Sequence, residues 1–172
     1  MPNVFFTSDL HFGHKNLLGF RSEVHKKLFP TVEHMHDWMI ECWNKVVRPK
    51  DLVWILGDIA MTDDGLKEIR NLNGRKKLIL GNHDKFQISQ LTPYFEAVHG
   101  VWKKYDFVMS HVPIHTSCLE YRWFNNVHGH IHHKHYPINT DANYLNVNMD
   151  VIGPYPMALE VVRAKLKTKE AE

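Results

Sequence analysis

Five candidate β-strands in this chain each end in a cluster of aspartate, asparagine or histidine residues. "VFFTS" leads into "DLH", "DLVWIL" into "GD", "KKLIL" into "GNHD", "FVMS" into "H" and "NNVH" into "GHIH". Burying charged or imidazole side chains at strand ends is costly unless a partner compensates them, and a metal ion is one such partner. Ligands of open α/β sheets bind at the carboxyl ends of the strands, so the five clusters could meet in one site.

The rest of the chain alternates predicted strands with predicted helices. Strands are expected at residues 3–7, 51–56, 76–80, 106–110, 125–128 and 145–149, and helices at 31–47, 64–74 and 156–166. Thr31 is a suitable N-cap for the first of these helices, and Pro49 follows its end. This alternation predicts an α/β sandwich with mixed central sheets flanked by helices. No linker divides the sequence, so we expect a single domain over residues 1–166 and a charged, frayed tail over 167–172.

Composition narrows the chemistry that the expected site can have. The chain has 172 residues, a formal net charge of +2, 14 histidines and 2 cysteines. Cys42 and Cys118 form no CxxC pair, so we expect nitrogen and oxygen ligands for a metal, and a reducing cytoplasm as the location. No apolar stretch approaches the ~18 residues of a membrane span, and no secretory signal pattern is present. The mild positive charge does not by itself indicate nucleic-acid binding.

The five clusters resemble the signature of the calcineurin-like metallophosphoesterase superfamily. Its DxH, GD, GNH[DE], H and GHxH motifs occur here complete and in that order, between residues 9 and 132. The stretches "WNKVVRPKDLVWILGDIA" and "NVNMDVIGPYPMALEVV" are most similar to its small, uncapped bacterial and phage members. The resemblance implies a metallophosphoesterase-like sandwich and hydrolysis of phosphoesters.

The resemblance also implies two divalent metal ions and seven ligands. These would be Asp9, His11 and His132 for one ion, Asn82, His111 and His130 for the other, and Asp58 as a bridge between both. Two such ions carry more positive charge than two carboxylates neutralise, which suits a phosphate ester and an activated hydroxide. Ligands of this kind favour manganese, iron, zinc or nickel over calcium, and we expect manganese to serve in vitro.

Four further residues receive roles from the same resemblance or from their neighbourhood. His83 is expected to stabilise the transferring phosphoryl group and to protonate the departing oxygen as a general acid. Asp84 is expected to orient or electrostatically support His83. His14 and Arg21 lie after the first motif, and we predict that Arg21 contacts the substrate phosphate while His14 lines the pocket. The alternative for these two residues is an ordinary solvated loop.

The sequence leaves open which class of phosphoester the protein hydrolyses. "GDIAMTDDG" lacks the Asp-Arg-Gly continuation of protein phosphatases, and the chain has no room for the capping regions of large DNA-repair nucleases. An open site tolerates a second ester substituent, which favours a phosphodiesterase acting on a nucleotide or on RNA or DNA. The alternatives are a phosphomonoesterase and a non-catalytic metal-binding interaction module. Aromatic residues close to the motifs could stack on a base, and they are Phe12, Phe20, Trp123 and Phe124.

Other polar residues near the motifs are predicted to lie outside the set of metal ligands. His115 and His128 could support the metal ligands from behind; the alternative is that they simply pack or form hydrogen bonds. Asp150 ends a predicted strand, and the sequence assigns it no role. The remaining histidines are expected at the surface, and they are His25, His34, His36, His99, His133 and His135.

Overall fold

The structure is a computed structural model, and it describes residues 1–20, 27–120, 124–133, 135 and 137–166. The strands are β1 (Val4–Thr7), β2 (Leu52–Ile55), β3 (Arg75–Ile79), β4 (Ala97–His99), β5 (Trp102–Lys104), β6 (Phe107–Met109), β7 (Asn126–His128), β8 (Tyr144–Asn146) and β9 (Met157–Ala158). The α-helices are α1 (Leu17–Phe20), α2 (Val32–Val46), α3 (Asp63–Lys67), α4 (Ile88–Leu91), α5 (Met149–Ile152) and α6 (Leu159–Lys165). Short 3-10 helices span Glu68–Asn71, Thr116–Cys118 and Pro137–Thr140.

Two mixed sheets form the centre of the molecule. One sheet has the order β4-β3-β2-β1-β9, in which β9 alone runs antiparallel to its neighbour. The other has the order β5-β6-β7-β8, with β5 antiparallel and the other three strands parallel. A parallel bridge between Ser8 and Asn148 joins the ends of β1 and β8. The carboxyl ends of the parallel strands of both sheets therefore reach the same region.

Alternation along the strands builds two layers of core. In β1, Phe5 belongs to the cluster that packs against α2, whereas Phe6 belongs to the cluster between the two sheets. Val53 and Trp54 divide in the same way in β2. Successive side chains of a strand point to opposite faces, so a strand covered on both faces must be apolar throughout. The predicted α/β sandwich is confirmed.

Helix α2 forms where the sequence predicts it. The Thr31 side chain accepts a hydrogen bond from the backbone N–H of His34, as a helix N-cap does. Met35, Met39 and Trp43 are buried at helical spacing against the first sheet. None of the helices in the described ranges is long and apolar enough to cross a membrane.

Several sequence-based predictions need correction. The helix expected at 64–74 is the short α3 followed by a 3-10 turn that ends at Asn71, and the strand expected at 145–149 ends at Asn146. Strands β4 and β5 were missed because none of their residues is buried, so no apolar run marks them. Strand β9 lies within the helix expected at 156–166, which begins only at Leu159. The predicted exposure of His36 is wrong, since its ring is buried and lies 5.1 Å from the Phe12 ring.

Candidate metal centre

The polar clusters of the sequence meet at the carboxyl ends of β1, β2, β3, β6 and β7. Asp9 and His11 follow β1, Asp58 follows β2, and His111 follows β6. Backbone hydrogen bonds join these loops: the Asp9 N–H donates to the Gly57 carbonyl at 2.9 Å, and the His11 N–H to the Asp58 carbonyl at 3.0 Å. The loops are therefore held side by side by their main chains.

One group of three side chains consists of Asp9, His11 and His132. Each offers one ligand atom, and these atoms lie within 4.8 Å of one another. Asp9 Oδ1 lies 3.8 Å from His11 Nε2 and 3.4 Å from His132 Nε2. Asp9 Oδ2 accepts hydrogen bonds from the Ser8 hydroxyl at 2.5 Å and from the His130 backbone N–H at 3.0 Å. One oxygen of Asp9 thus anchors the carboxylate, and the other faces the two imidazoles.

A second group consists of Asp58, His111 and His130, whose ligand atoms also lie within 4.8 Å of one another. Asn82 joins it, because its Oδ1 lies 2.9 Å from His111 Nε2. Asp58 Oδ2 lies 3.3 Å from His111 Nε2 and 3.9 Å from His11 Nε2. The Asp58 carboxylate therefore stands between the two groups.

The environment of His111 fits a cation. Its Nδ1 lies 2.8 Å from the Leu56 carbonyl oxygen, which can only accept a hydrogen bond, so Nδ1 carries the hydrogen. Nε2 then faces the oxygens of Asn82 and Asp58. Without a cation these oxygens favour a second proton on Nε2: burial opposes protonation, yet the Asp58 carboxylate raises the pKa of His111. A metal ion among the three atoms would take the place of that proton. Imidazole, carboxylate and amide ligands suit divalent transition metals.

Charges in the site influence the protonation of the candidate ligands. Burial works against ionisation of the Asp58 carboxyl, yet its hydrogen bond with His111 holds its pKa below the usual range. Burial also opposes protonation of His132, but the carboxylates of Asp150 and Asp9 raise its pKa to about 9. Burial and the neighbouring His111 lower the pKa of His130. The groups thus respond strongly to nearby charge, as metal ligands do.

Backbone strain is concentrated at this site. Asp9, His11, Asp58 and His130 have φ values of 62°, 52°, 54° and 67°, in the left-handed region that residues with side chains rarely adopt. Such strain persists only where the surrounding structure enforces it, and it is commonest at functional sites. Four candidate ligands therefore share an unusual backbone conformation.

Gly57 shows how closely the loops approach one another. Its φ is +91°, and a Cβ added there would lie 2.5 Å from His111 Nδ1 and 2.7 Å from the Gly81 Cα. Real Cβ atoms do not come so close to other atoms. Glycine is therefore required at Gly57 for both its conformation and its space.

His83 and Asp84 lie beside the second group, with different surroundings. The His83 backbone N–H donates to Asp58 Oδ1 at 2.9 Å, and its exposed ring lies 5.7 Å from the His11 ring. The Asp84 carboxylate accepts backbone N–H groups of Asp58, Ile59 and Gly81 at 2.8–2.9 Å. None of its hydrogen bonds within the described ranges goes to the His83 ring. Orientation of His83 by Asp84 thus stays a prediction, whereas support of the Asp58 loop is direct.

The predicted substrate-binding residues are placed only in part. The His14 ring lies 6.3 Å from the His11 ring, and its Nδ1 accepts the Asn16 backbone N–H. Arg21 and Trp123 fall outside the described residues, as does the predicted tail at 167–172. Phe12 is fully buried, so stacking on a base by its ring is excluded, whereas Phe124 is 40% exposed.

Sequence reasoning assigned no role to Asp150. Its Oδ2 lies 2.7 Å from Nδ1 of His132. The available signals were its place at the end of a predicted strand, which in fact ends at Asn146, and its place in the stretch that resembles the family. For His128 the sequence left open a supporting role behind the ligands or simple packing; it is buried, and its Nδ1 lies 2.8 Å from the Gly129 carbonyl oxygen.

Comparison with known proteins gives a family model for the calcineurin-like phosphoesterases that matches residues 2–165. The uncharacterized protein MJ1445 of Methanocaldococcus jannaschii is 33% identical over 171 residues, which cover 94% of this chain and 90% of that protein. The gene 66 protein of Mycobacterium phage L5 is 44% identical over 89 residues, which cover 49% of this chain and 41% of the phage protein.

Solved structures share the fold of this chain. The protein of unknown function AQ665 from Aquifex aeolicus has a TM-score of 0.73 at 22% identity, covering 95% of this chain and 99% of that one. A novel archaeal phosphodiesterase has a TM-score of 0.50 at 20% identity, covering 85% of this chain and 82% of that one. At such low identity the likeness is one of fold.

Proposed function

The chain belongs to the calcineurin-like phosphoesterase family, and from this premise we propose that it is a phosphodiesterase that depends on two divalent transition-metal ions. The observation that carries the proposal is the position of Asp58. Its Oδ2 lies between His111 Nε2 at 3.3 Å and His11 Nε2 at 3.9 Å. A carboxylate between two groups of nitrogen and oxygen ligands suits two neighbouring cations.

The side chains would divide between the two ions as the groups do. Asp9, His11 and His132 would hold one ion, and Asn82, His111 and His130 the other, with Asp58 shared. The two ions would supply positive charge to the phosphoryl oxygens and lower the pKa of bound water. Manganese is the ion that we propose for measurements in vitro.

His83 is the proposed proton donor to the departing oxygen. Its ring is exposed, whereas its backbone is fixed by the hydrogen bond to Asp58 Oδ1. With its backbone fixed, the ring stays at the rim of the site, where it can donate a proton to the departing oxygen. His14 and Arg21 are proposed to contact the substrate from the loop after β1, and Asp84 to keep the loops around His83 in place.

The exposure of the site supports a diester substrate. Asn82 and His83 are exposed, and 37% of the His132 side chain is accessible to solvent. A second ester substituent therefore has room beside the reacting phosphate. Cyclic nucleotides, RNA and DNA are phosphodiesters, and we propose them as the substrate class. The structural neighbour described as an archaeal phosphodiesterase has the same fold.

Hydrolysis of two matched model substrates tests the proposal. Protein loaded with Mn²⁺ is assayed on bis-p-nitrophenyl phosphate and on p-nitrophenyl phosphate, with Asn82→Ala as the control for the second group. Higher kcat/KM on the diester, lost in the variant, supports the proposal. Preference for the monoester makes the chain a phosphomonoesterase, and inactivity on both substrates with two ions bound makes it a metal-binding interaction module.

The thiols bear on the location of the protein. Cys42 and Cys118 are both free, one buried and one exposed. An exposed free thiol is stable in a reducing compartment, so we propose the cytoplasm as part of the same hypothesis.

A further inference from the structure

Asp150 is held in place by the same strand ends that carry the metal centre. It follows β8 in the first turn of α5, where its backbone N–H donates to Oδ1 of Asn148 at 2.8 Å. The Met149 N–H donates to the Ser8 carbonyl at 3.2 Å, next to Asp9 in the chain. The backbone of Asp150 is therefore tied to the segment that presents the first group.

The side chain of Asp150 meets the outer nitrogen of His132. Asp150 Oδ2 lies 2.7 Å from His132 Nδ1, and a carboxylate oxygen can only accept, so Nδ1 carries the hydrogen and donates it. Nε2 of the same ring then lies 3.4 Å from Asp9 Oδ1 and 3.4 Å from His11 Nε2. When the ring is neutral, as a metal ligand must be, this hydrogen bond fixes the tautomer that turns the Nε2 lone pair towards Asp9 and His11.

His111 offers a direct contrast within the same site. Its outer nitrogen donates to the neutral carbonyl of Leu56 at 2.8 Å instead of to a carboxylate. An imidazole that donates its outer N–H to a carboxylate is a stronger metal ligand than one that donates to a carbonyl. The negative charge of the carboxylate raises the basicity of the ring nitrogen that faces the cation. The two groups therefore differ in the charge that stands behind His132 and behind His111.

We propose that Asp150 is a positioning residue for His132, and that it makes the Asp9, His11 and His132 group the tighter of the two ion-binding sites. The inference rests on the proposed two-ion function. Asp150 fixes the ring in one tautomer and orientation and adds a negative charge behind it. The side chain of Asp150 is only 16% exposed, so water screens that charge weakly.

Titration of the metal-free protein with Mn²⁺ at fixed pH tests this proposal. The wild type is compared with Asp150→Ala, with Asp150→Asn, and with Asp37→Asn as a matched control for an exposed aspartate on α2. We expect two bound ions in the wild type and the control. In Asp150→Ala we expect the tighter site to weaken about 10–100-fold while the other changes little. Asp150→Asn keeps an acceptor oxygen and should weaken the tighter site less.

The spectrum of bound Co²⁺ and the thermal stability of the metal-free protein separate positioning from a merely structural role. We expect Asp150→Ala to alter the Co²⁺ absorption of the first ion and to leave that of the second unchanged, while the metal-free melting temperature falls only by what the lost Asp150–His132 contact accounts for. Unchanged affinity and spectrum at both sites would overturn the inference and leave the proposed function standing. Equal weakening of both sites with a lower melting temperature would also overturn it. A wild type that binds no ion would overturn the proposed function itself.

Discussion

The Asp84 carboxylate accepts a hydrogen bond from the backbone N–H of Asp58 at 2.9 Å, which joins the loop after β3 to the loop after β2. The N–H groups of Ile59 and Gly81 donate to the same carboxylate, each at 2.8 Å. Burial raises the pKa of Asp84, although these amides favour its ionised form. Asp84 therefore fixes the backbone of Asp58, which stands between the two groups of candidate ligands.

Replacing Asp84 by asparagine should destabilise the protein. The asparagine side chain has one acceptor oxygen, and its amide nitrogen would face N–H donors, so at least one buried amide loses its partner. We expect the free energy of unfolding to fall by about 1–3 kcal/mol in urea denaturation of the metal-free protein. Asp64→Asn is the control, because the Asp64–Lys67 pair lies on the surface, and it should change nothing measurable. Equal stability of Asp84→Asn and the wild type would contradict this role.

Gly57→Ala should destabilise the protein and weaken ion binding by the second group. The added Cβ would press on His111 Nδ1 and on the Gly81 backbone, at a φ of +91° that alanine rarely adopts. We expect a loss of about 2 kcal/mol or more in unfolding free energy, and loss of one of the two bound ions. Gly100→Ala is the matched control, since nothing lies within 4 Å of its Cβ. Equal unfolding free energies and equal numbers of bound ions in the two variants would show that the close approach at Gly57 is unimportant.

His83→Ala should lower turnover without removing metal. The hydrogen bond to Asp58 Oδ1 comes from the His83 backbone N–H, and alanine keeps it. We expect kcat on a dinucleotide, whose departing alkoxide must be protonated, to fall about 10²–10⁴-fold, as for loss of a general acid, while elemental analysis finds the same metal content. His34→Ala, on the exposed face of α2, is the control and should keep full turnover. A His83→Ala enzyme with wild-type kcat would remove His83 from the mechanism.

The buried His128 should make stability depend on pH. Burial lowers its pKa from 6.5 to about 4. The unfolded chain therefore binds one more proton than the folded protein between these values, and folding is favoured less as the pH falls from 6.5 to 4. The loss should reach about 3 kcal/mol. Denaturation of metal-free His128→Asn over the same range should show a shallower pH dependence. Parallel curves for the variant and the wild type would contradict the buried, neutral state of His128.

Local patterns were sufficient to predict the central elements. Thr31 caps α2 as its sequence indicated, and the apolar runs around Phe6 and Trp54 form central strands because they are covered on both faces. The exposed strands at the sheet edges have a weaker hydrophobic pattern in the sequence. Strand β5 consists of Trp102–Lys104, its residues are all exposed, and no run of apolar residues marks it.

Long-range contacts explain what could not be predicted at the site. The seven residues expected as ligands do lie together, because the motifs themselves follow strand ends. Asp150 is 18 residues from His132 in the chain, and Asp84 is 26 residues from Asp58. Neither pair is marked by spacing, so their contacts depend on how the strands are ordered in the sheets. His36 is similar, since its burial against Phe12 depends on where α2 packs.

A crystal grown with Mn²⁺ and measured at a wavelength where manganese scatters anomalously tests the central claim most directly. The account predicts two anomalous peaks, one among Asp9, His11 and His132 and one among Asn82, His111 and His130, with Asp58 in contact with both. A single peak, or no peak at these side chains in a crystal held in saturating Mn²⁺, would contradict it.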